Sequence, residues 1–238
     1  GFGGYLGGRF WPCKRRSAVK KGQKGDSFQM SDLFGDEGRE TVDLNGVPVH
    51  VALLDRAAQE AAVRDLRHIA KAAPFRRYET PGGRKMSVAM TAAGALGWMT
   101  DRSGYRYAET HQDGQHWPDI PESILDVWRR VSGTKRLPDS CLVNFYAEGA
   151  RMGMHQDKDE ADTGWPVVSI SLGDDALFRV GGVAQPTPSK SHWLKSGDVA
   201  VLAGDKRLAH HGIDRIRFRS SDLLPGGGRI NVTLRVAG

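Results

Sequence analysis

Apolar positions fall into two different periods along the chain, and the change comes near residue 138. From 54 to 73 the segment LDRAAQEAAVRDLRHIAKAA places Leu54, Ala58, Ala62, Leu66 and Ile69 on one face with charge elsewhere, and Pro74 follows. That spacing predicts an amphipathic helix that stops before the proline. A second helix is predicted over 122–131, after Pro121, with Ile124, Leu125 and Trp128 as its apolar stripe. Beyond 138 the helical period gives way to short extended runs separated by Gly, Pro and Asp: CLVNFY, VVSISL, ALFRV, HWLK, DVAVLA and RINVTLRV. Six such runs in about a hundred residues predict antiparallel strands in a sandwich or jelly roll, with both helices packed outside a sheet.

The last run carries the sharpest pattern. Arg229, Asn231, Thr233 and Arg235 share one face of RINVTLRV, and Ile230, Val232, Leu234 and Val236 the other. A solvent-exposed face explains the polar set, and so does a buried site for a small diacid. At ~3.3 Å per residue the two arginines stand about 20 Å apart, and their long arms can approach such a diacid from opposite ends. Each guanidinium is a rigid fork that matches a carboxylate, which lysine cannot reproduce.

His155 and Asp157 stand two apart in GMHQDKDE, so an extended backbone turns both to one side. Two imidazoles and one carboxylate suit a divalent iron with open positions. In LAHHGID, His211 is the expected third ligand by its register with the following Gly-Ile, although His210 lies beside it. Taken alone, HxD is a common spacing and a solvated loop is its bland explanation. The other histidines are weaker candidates: His111 and His116 flank a polar loop and are expected to face solvent, and His50, His68 and His192 stand singly.

Composition changes the picture in one place. Hydrophobic residues make up 39% and charged residues 26% of the 238, as in a globular domain, and no apolar run is long enough to span a membrane. The net charge of +6 invites a nucleic-acid reading, yet residues 1–29 hold seven cations against one acid, so 30–238 balance at 27 of each sign. The basic, Gly-rich segment 1–29 is expected to be disordered, and dispensable or foreign to the native protein, with Met30 resembling a normal start; a phosphate-gripping arm ranks second. Two cysteines, Cys13 and Cys141, are too few for a disulfide framework or a thiolate zinc site, and Cys141 is expected in the core.

Taken in order, TPGGRKMSVAM, LGWMT, NFYAEGARMGMHQDKDE, VVSISLG, GDVAVLAGDKRLAHHGI and RINVTLRVAG resemble the AlkB family of nucleic-acid dealkylating dioxygenases, its bacterial members above all. The resemblance covers roughly Met30 to the end. It implies an α+β fold: a double-stranded β-helix (jelly roll) core over 138–238, N-terminal supporting helices, and a nucleotide-recognition lid within about 75–135. It implies iron(II) on His155, Asp157 and His211, with 2-oxoglutarate and dioxygen as co-substrates. Asn144 and Tyr146 would hydrogen-bond oxoglutarate, Arg229 would pair with its distal carboxylate, and Asn231 and Arg235 would hold its metal-proximal end.

On the substrate side, Trp98 would stack on a flipped base opposite His155, Tyr105 would touch a phosphate, Asp159 would meet the base's exocyclic amino group, and Met90 and Lys158 would complete the pocket. The implied reaction is oxidative demethylation of 1-methyladenine and 3-methylcytosine in single- or double-stranded DNA, releasing formaldehyde, succinate and carbon dioxide. The expected protein is a cytoplasmic monomer. Leu202 and His210 depart from the family's pattern and put the oxoglutarate-pocket wall in question. Two other functions stay open at this point: an RNA or tRNA demethylase of the same family, and a non-catalytic metal-binding jelly roll.

Overall fold

A computed structural model describes residues 40–184 and 188–238; the segment 1–29 lies outside the described residues. Two antiparallel sheets form a sandwich. Its seven-stranded sheet runs β1(Thr41–Leu44), β2(Val47–His50), β11(Val199–Leu202), β8(Val167–Gly173), β13(Arg229–Arg235), β6(Ser140–Tyr146) and β3(Ala89–Gly94). Opposite lies a four-stranded sheet in the order β10(Lys190–Leu194), β9(Asp175–Val180), β12(His211–Arg217), β7(Met152–His155). A separate hairpin pairs β4(Gly97–Asp101) with β5(Gly104–Ala108).

The two helices fall where the apolar period puts them. The first, α1, spans Arg56–Ala72, two residues later than Leu54, because the Asp55 carboxylate accepts from the Ala58 amide at 2.8 Å and caps the first turn. Leu54 instead donates its amide to the Gly197 carbonyl and belongs to the sheet margin. The second, α2, spans Glu122–Val131, and its buried stripe is Ile124, Val127 and Trp128, with Val127 in place of the expected Leu125.

The alternation in β13 decides which side is which. Ile230, Val232, Leu234 and Val236 join Val143, Ile170 and Cys141 beneath α1 and α2 in one apolar cluster. Arg229, Asn231, Thr233 and Arg235 point the other way, into the sandwich, and every residue of the strand is buried. The solvent-exposed explanation of the polar face is therefore excluded. Cys141 is a core thiol, and burial pushes its pKa up to about 12.

The sheet also draws on sequence before residue 138. β1 and β2 form a hairpin through Asn45 and Gly46, both at positive φ, and β3 adds an edge beside β6. Among the described residues no helix is long and apolar enough to cross a membrane.

Candidate active site

One cavity of about 560 Å³ has wall residues from both sheets and the β4–β5 hairpin. Strand register builds its floor. His155 closes β7 and His211 opens β12, and the two pair directly across the ladder, so their imidazoles lie 4.5 Å apart between centroids. Asp157 follows β7 by two residues and brings its carboxylate between them: Oδ1 is 3.7 Å from His155 Nε2, and Oδ2 is 3.7 Å from His211 Nε2. One donor atom from each of the three lies within 4.8 Å of the others.

These residues fit a divalent iron. Each ring directs Nδ1 to a backbone carbonyl at 2.9 Å, His155 to Gly153 and His211 to Ala209, which leaves the Nε2 lone pairs for a cation. Burial lowers the His211 pKa to about 4, against the opposing pull of Asp157, so its imidazole is neutral as a ligand must be. Burial alone would raise Asp157, but Arg235 and the two histidines outweigh it and hold the carboxyl well below the usual range. Asp157 Oδ2 is buried without a hydrogen bond from any described residue. Arg235 Nη2 reaches it at 2.8 Å as an ionic contact that is not aligned as a hydrogen bond. His210, the rival third ligand, turns Nδ1 to the Gly182 carbonyl at 3.0 Å.

The second wall is a polar row across the larger sheet. Met90, Asn144, Asn231 and Ser171 stand opposite one another on β3, β6, β13 and β8, and Tyr146 and Arg229 form the adjacent pair. Asn231 donates to Ser169 Oγ at 2.7 Å, and Thr233 donates to Asn231 Oδ1 at 3.2 Å. Arg229 is 1% exposed. Its Nε donates to Ser171 Oγ at 3.0 Å, its guanidinium lies 5.2 Å from the Tyr146 ring centre, and its Nη1 has no hydrogen-bond partner among the described residues. A buried guanidinium with an idle N–H at a cavity wall is matched to an anion that fills the cavity. Burial lowers its pKa, partly offset by Tyr146.

The hairpin supplies the mouth. Trp117 packs where a side chain on Gly97 would stand, 2.2 Å from the position of a Cβ, so the glycine seats the indole that backs β4. Trp98 follows, half-buried, with Tyr78 edge-on at 6.4 Å and the exposed Tyr105 ring stacked on it at 5.6 Å and 21°. Trp98 Nε1 donates to Asp159 Oδ2 at 2.9 Å, so one ring face and the carboxylate expected to meet a base are already engaged. Lys158 is an exposed wall residue, and Met90 is a buried one. His111 is corrected: it is 4% exposed, edge-on to Trp117 at 5.0 Å, with Nδ1 3.2 Å from Asp113.

Three residues here were missed from sequence: Tyr107, Glu160 and Arg207. Glu160 contacts Arg235 and Arg207 at 3.1 Å each and accepts from Tyr107 at 2.7 Å. The acidic run DKDE held the only signal, and a charged residue in a charged run reads as solvated.

A β-sandwich that presents two histidines and an aspartate in one cavity, beside a buried anion seat, defines an iron- and oxoglutarate-dependent oxygenase. The family model of the 2OG-Fe(II) oxygenase superfamily matches residues 47–235. The alpha-ketoglutarate-dependent dioxygenase AlkB homolog of Caulobacter vibrioides is 55% identical over 193 residues, covering 81% of this chain and 88% of that protein. The alpha-ketoglutarate-dependent dioxygenase AlkB of Escherichia coli is 40% identical over 214 residues, covering 88% of this chain and 99% of that protein. Among solved structures, that of OsALKBH1 superposes with a TM-score of 0.69 at 29% identity, over 82% of this chain and 99% of that one. The chain belongs to the AlkB family of the 2OG-Fe(II) oxygenases, and its cofactors are iron(II), 2-oxoglutarate and dioxygen. That excludes the non-catalytic jelly roll.

Proposed function

We propose that this dioxygenase demethylates N-alkylated bases of DNA, of the 1-methyladenine and 3-methylcytosine type. The observation that carries the reading is the stacked Trp98–Tyr105 pair, hydrogen-bonded to the Asp159 carboxylate at the mouth of the cavity that holds His155, Asp157 and His211. An extruded base offers a π-face for an aromatic partner, and a ring-methylated base carries positive charge for a carboxylate. In this reading the hairpin belongs to a nucleotide-recognition lid within 75–135, and the chain acts as a monomer.

His155, Asp157 and His211 would hold the metal, with their Nε2 atoms and carboxylate facing one another. Asn144, Tyr146, Arg229, Asn231 and Arg235 line the oxoglutarate end, with Arg229 pairing the distal carboxylate through its idle Nη1. Iron(II), oxoglutarate and dioxygen held there would supply the oxidation of the N-methyl group, with succinate and carbon dioxide as co-products. The hydroxymethyl group then leaves as formaldehyde and the base is restored. Asp159 orients the base edge, Trp98 and His155 its faces, and the apolar wall of Met90, Leu142 and Phe178 limits water near the reacting carbon.

Charge distribution supports a nucleic-acid substrate where net charge does not. A groove of about 890 Å³ adjoins the cavity along Met86 and Met152–Met154, and its wall holds Arg84, Lys85, Arg151, Arg179 and Arg215 against one acid, Asp214. Arg179 is paired with Asp214. Arg151→Glu is expected to raise the KM for a methylated oligonucleotide severalfold and to flatten its dependence on log salt concentration by about one unit or more. An unchanged salt slope would remove Arg151 from the phosphate path.

The deciding experiment measures formaldehyde and succinate from matched DNA and RNA oligonucleotides bearing 1-methyladenine or 3-methylcytosine. Turnover on DNA at least ten times that on RNA is expected. The reverse order would reassign the substrate to RNA, and no formaldehyde from either would overturn the demethylase reading.

A further inference from the structure

The side chains behind the metal-ligand triad form a closed charge circuit that reaches the substrate hairpin. Asp157 contacts Arg235 Nη2, Arg235 Nε contacts Glu160 Oε1 at 3.1 Å, and Glu160 Oε2 contacts Arg207 Nη2 at 3.1 Å. Arg207 closes the ring by donating Nη1 to the Asp157 carbonyl at 2.8 Å and Nε to the Trp165 carbonyl at 2.7 Å. Two acids and two arginines sum to zero, and all four side chains are at most 8% exposed. A charge removed from such a set leaves its neighbour uncompensated in a low-dielectric interior.

The hairpin enters the same circuit. Tyr107 stands directly across from Trp98 in the β4–β5 register, and each reaches one of two consecutive carboxylates: Trp98 reaches Asp159 and Tyr107 reaches Glu160. Asp159 lies at the cavity mouth, whereas Glu160 faces inward to Arg235. The Glu160–Arg235 and Glu160–Arg207 contacts are ionic and are not aligned as hydrogen bonds, since Glu160 Oε2 and Arg235 Nε lack aligned partners. Among the described residues, the one aligned side-chain hydrogen bond on Glu160 comes from the hairpin, from Tyr107.

We propose that Glu160 is a positioning residue that couples docking of the β4–β5 hairpin to the metal-ligating carboxylate, through the path Tyr107–Glu160–Arg235–Asp157. Glu160 shares the Arg235 charge with Asp157, so the Asp157 carboxylate is not fully compensated by its neighbour and its attraction for a cation remains. Arg207 holds Glu160 from behind and anchors the backbone of Asp157. The inference rests on Asp157 being a metal ligand.

Mn(II) alone is the probe, titrated calorimetrically into the full chain and its variants, with Tm measured on each. Glu160→Gln keeps the size of the side chain and removes its charge; it is expected to weaken Mn(II) binding about tenfold or more. Tyr107→Phe removes one oxygen on a different element and is expected to weaken Mn(II) roughly two- to tenfold. The double variant is expected to lose less than the product of the two, since both act through one contact. A residue that only supports the fold would lower Tm and leave Mn(II) affinity alone.

Both single variants binding Mn(II) within twofold of the parent, with Asp157→Ala unable to bind it, would overturn the coupling and leave the site reading intact. So would a double variant whose loss equals the product. Retained Mn(II) binding in Asp157→Ala would overturn the site reading, and this inference with it. Should Glu160→Gln fail to fold, Tyr107→Phe decides the matter by the same twofold criterion.

Discussion

Asp157→Ala is expected to lose demethylation by at least a thousandfold, read as formaldehyde released from a methylated oligonucleotide under saturating iron and oxoglutarate. Asp157 is the sole anionic donor of the proposed triad, and its Oδ2 is buried between His211 and Arg235 without an aligned hydrogen bond. Its removal leaves two imidazoles and no anion to hold a doubly charged ion next to an arginine, which repels that ion. Among the described residues the arginine then keeps Glu160 alone as a counter-charge. Asp157→Asn, of the same shape, should fare little better, because the missing charge and not the missing volume is the defect. Turnover within tenfold of the parent in either variant would mean that the metal sits elsewhere.

The strands that face the core were legible because burial on one or both sides writes itself into the residue pattern. VVSISL, CLVNFY and RINVTLRV became β8, β6 and β13 at nearly their expected limits. By contrast β12, HGIDRIR, carries charge along its length, and β7 is four residues long, so neither shows an apolar period. Yet those two strands bring His155 and His211 together. The candidate His155, Asp157 and His211 cluster was thus readable as residue types and spacings, and not as a cross-strand pair.

The β1–β2 hairpin had a local signal in Asn45-Gly46 that was passed over, and the sheet extends through it beyond the expected 138–238. His111 was misplaced for a related reason. Polar neighbours in sequence suggest solvent, but Trp117 folds over its ring from six residues away. Glu160 and Arg207 are opaque for a deeper reason: a buried ion pair between residues 47 positions apart leaves no trace in either local segment.

Arg229→Met separates binding from folding. Arg229 is almost wholly buried, its Nη1 lacks a hydrogen-bond partner, and the carboxylate that would satisfy it is a ligand and not part of the chain. A buried charge in that state opposes folding, so an apolar side chain of similar length should leave the ligand-free Tm unchanged or raise it. Oxoglutarate should suffer instead. Loss of a charge-assisted pair at ~1.5–3 kcal/mol corresponds to roughly a 10- to 150-fold rise in its KM. The KM for the methylated oligonucleotide should move much less, since Arg229 contacts Ser171 and Tyr146 on the sheet wall, whereas Trp98 stands on the β4–β5 hairpin. Arg229→Lys should recover only part of the loss, because a single ammonium cannot reproduce the planar fork. A fall in Tm of several degrees with an unaltered oxoglutarate KM would recast Arg229 as a structural cation stacked on Tyr146. Stability gained together with affinity lost is the signature of a residue kept for its ligand.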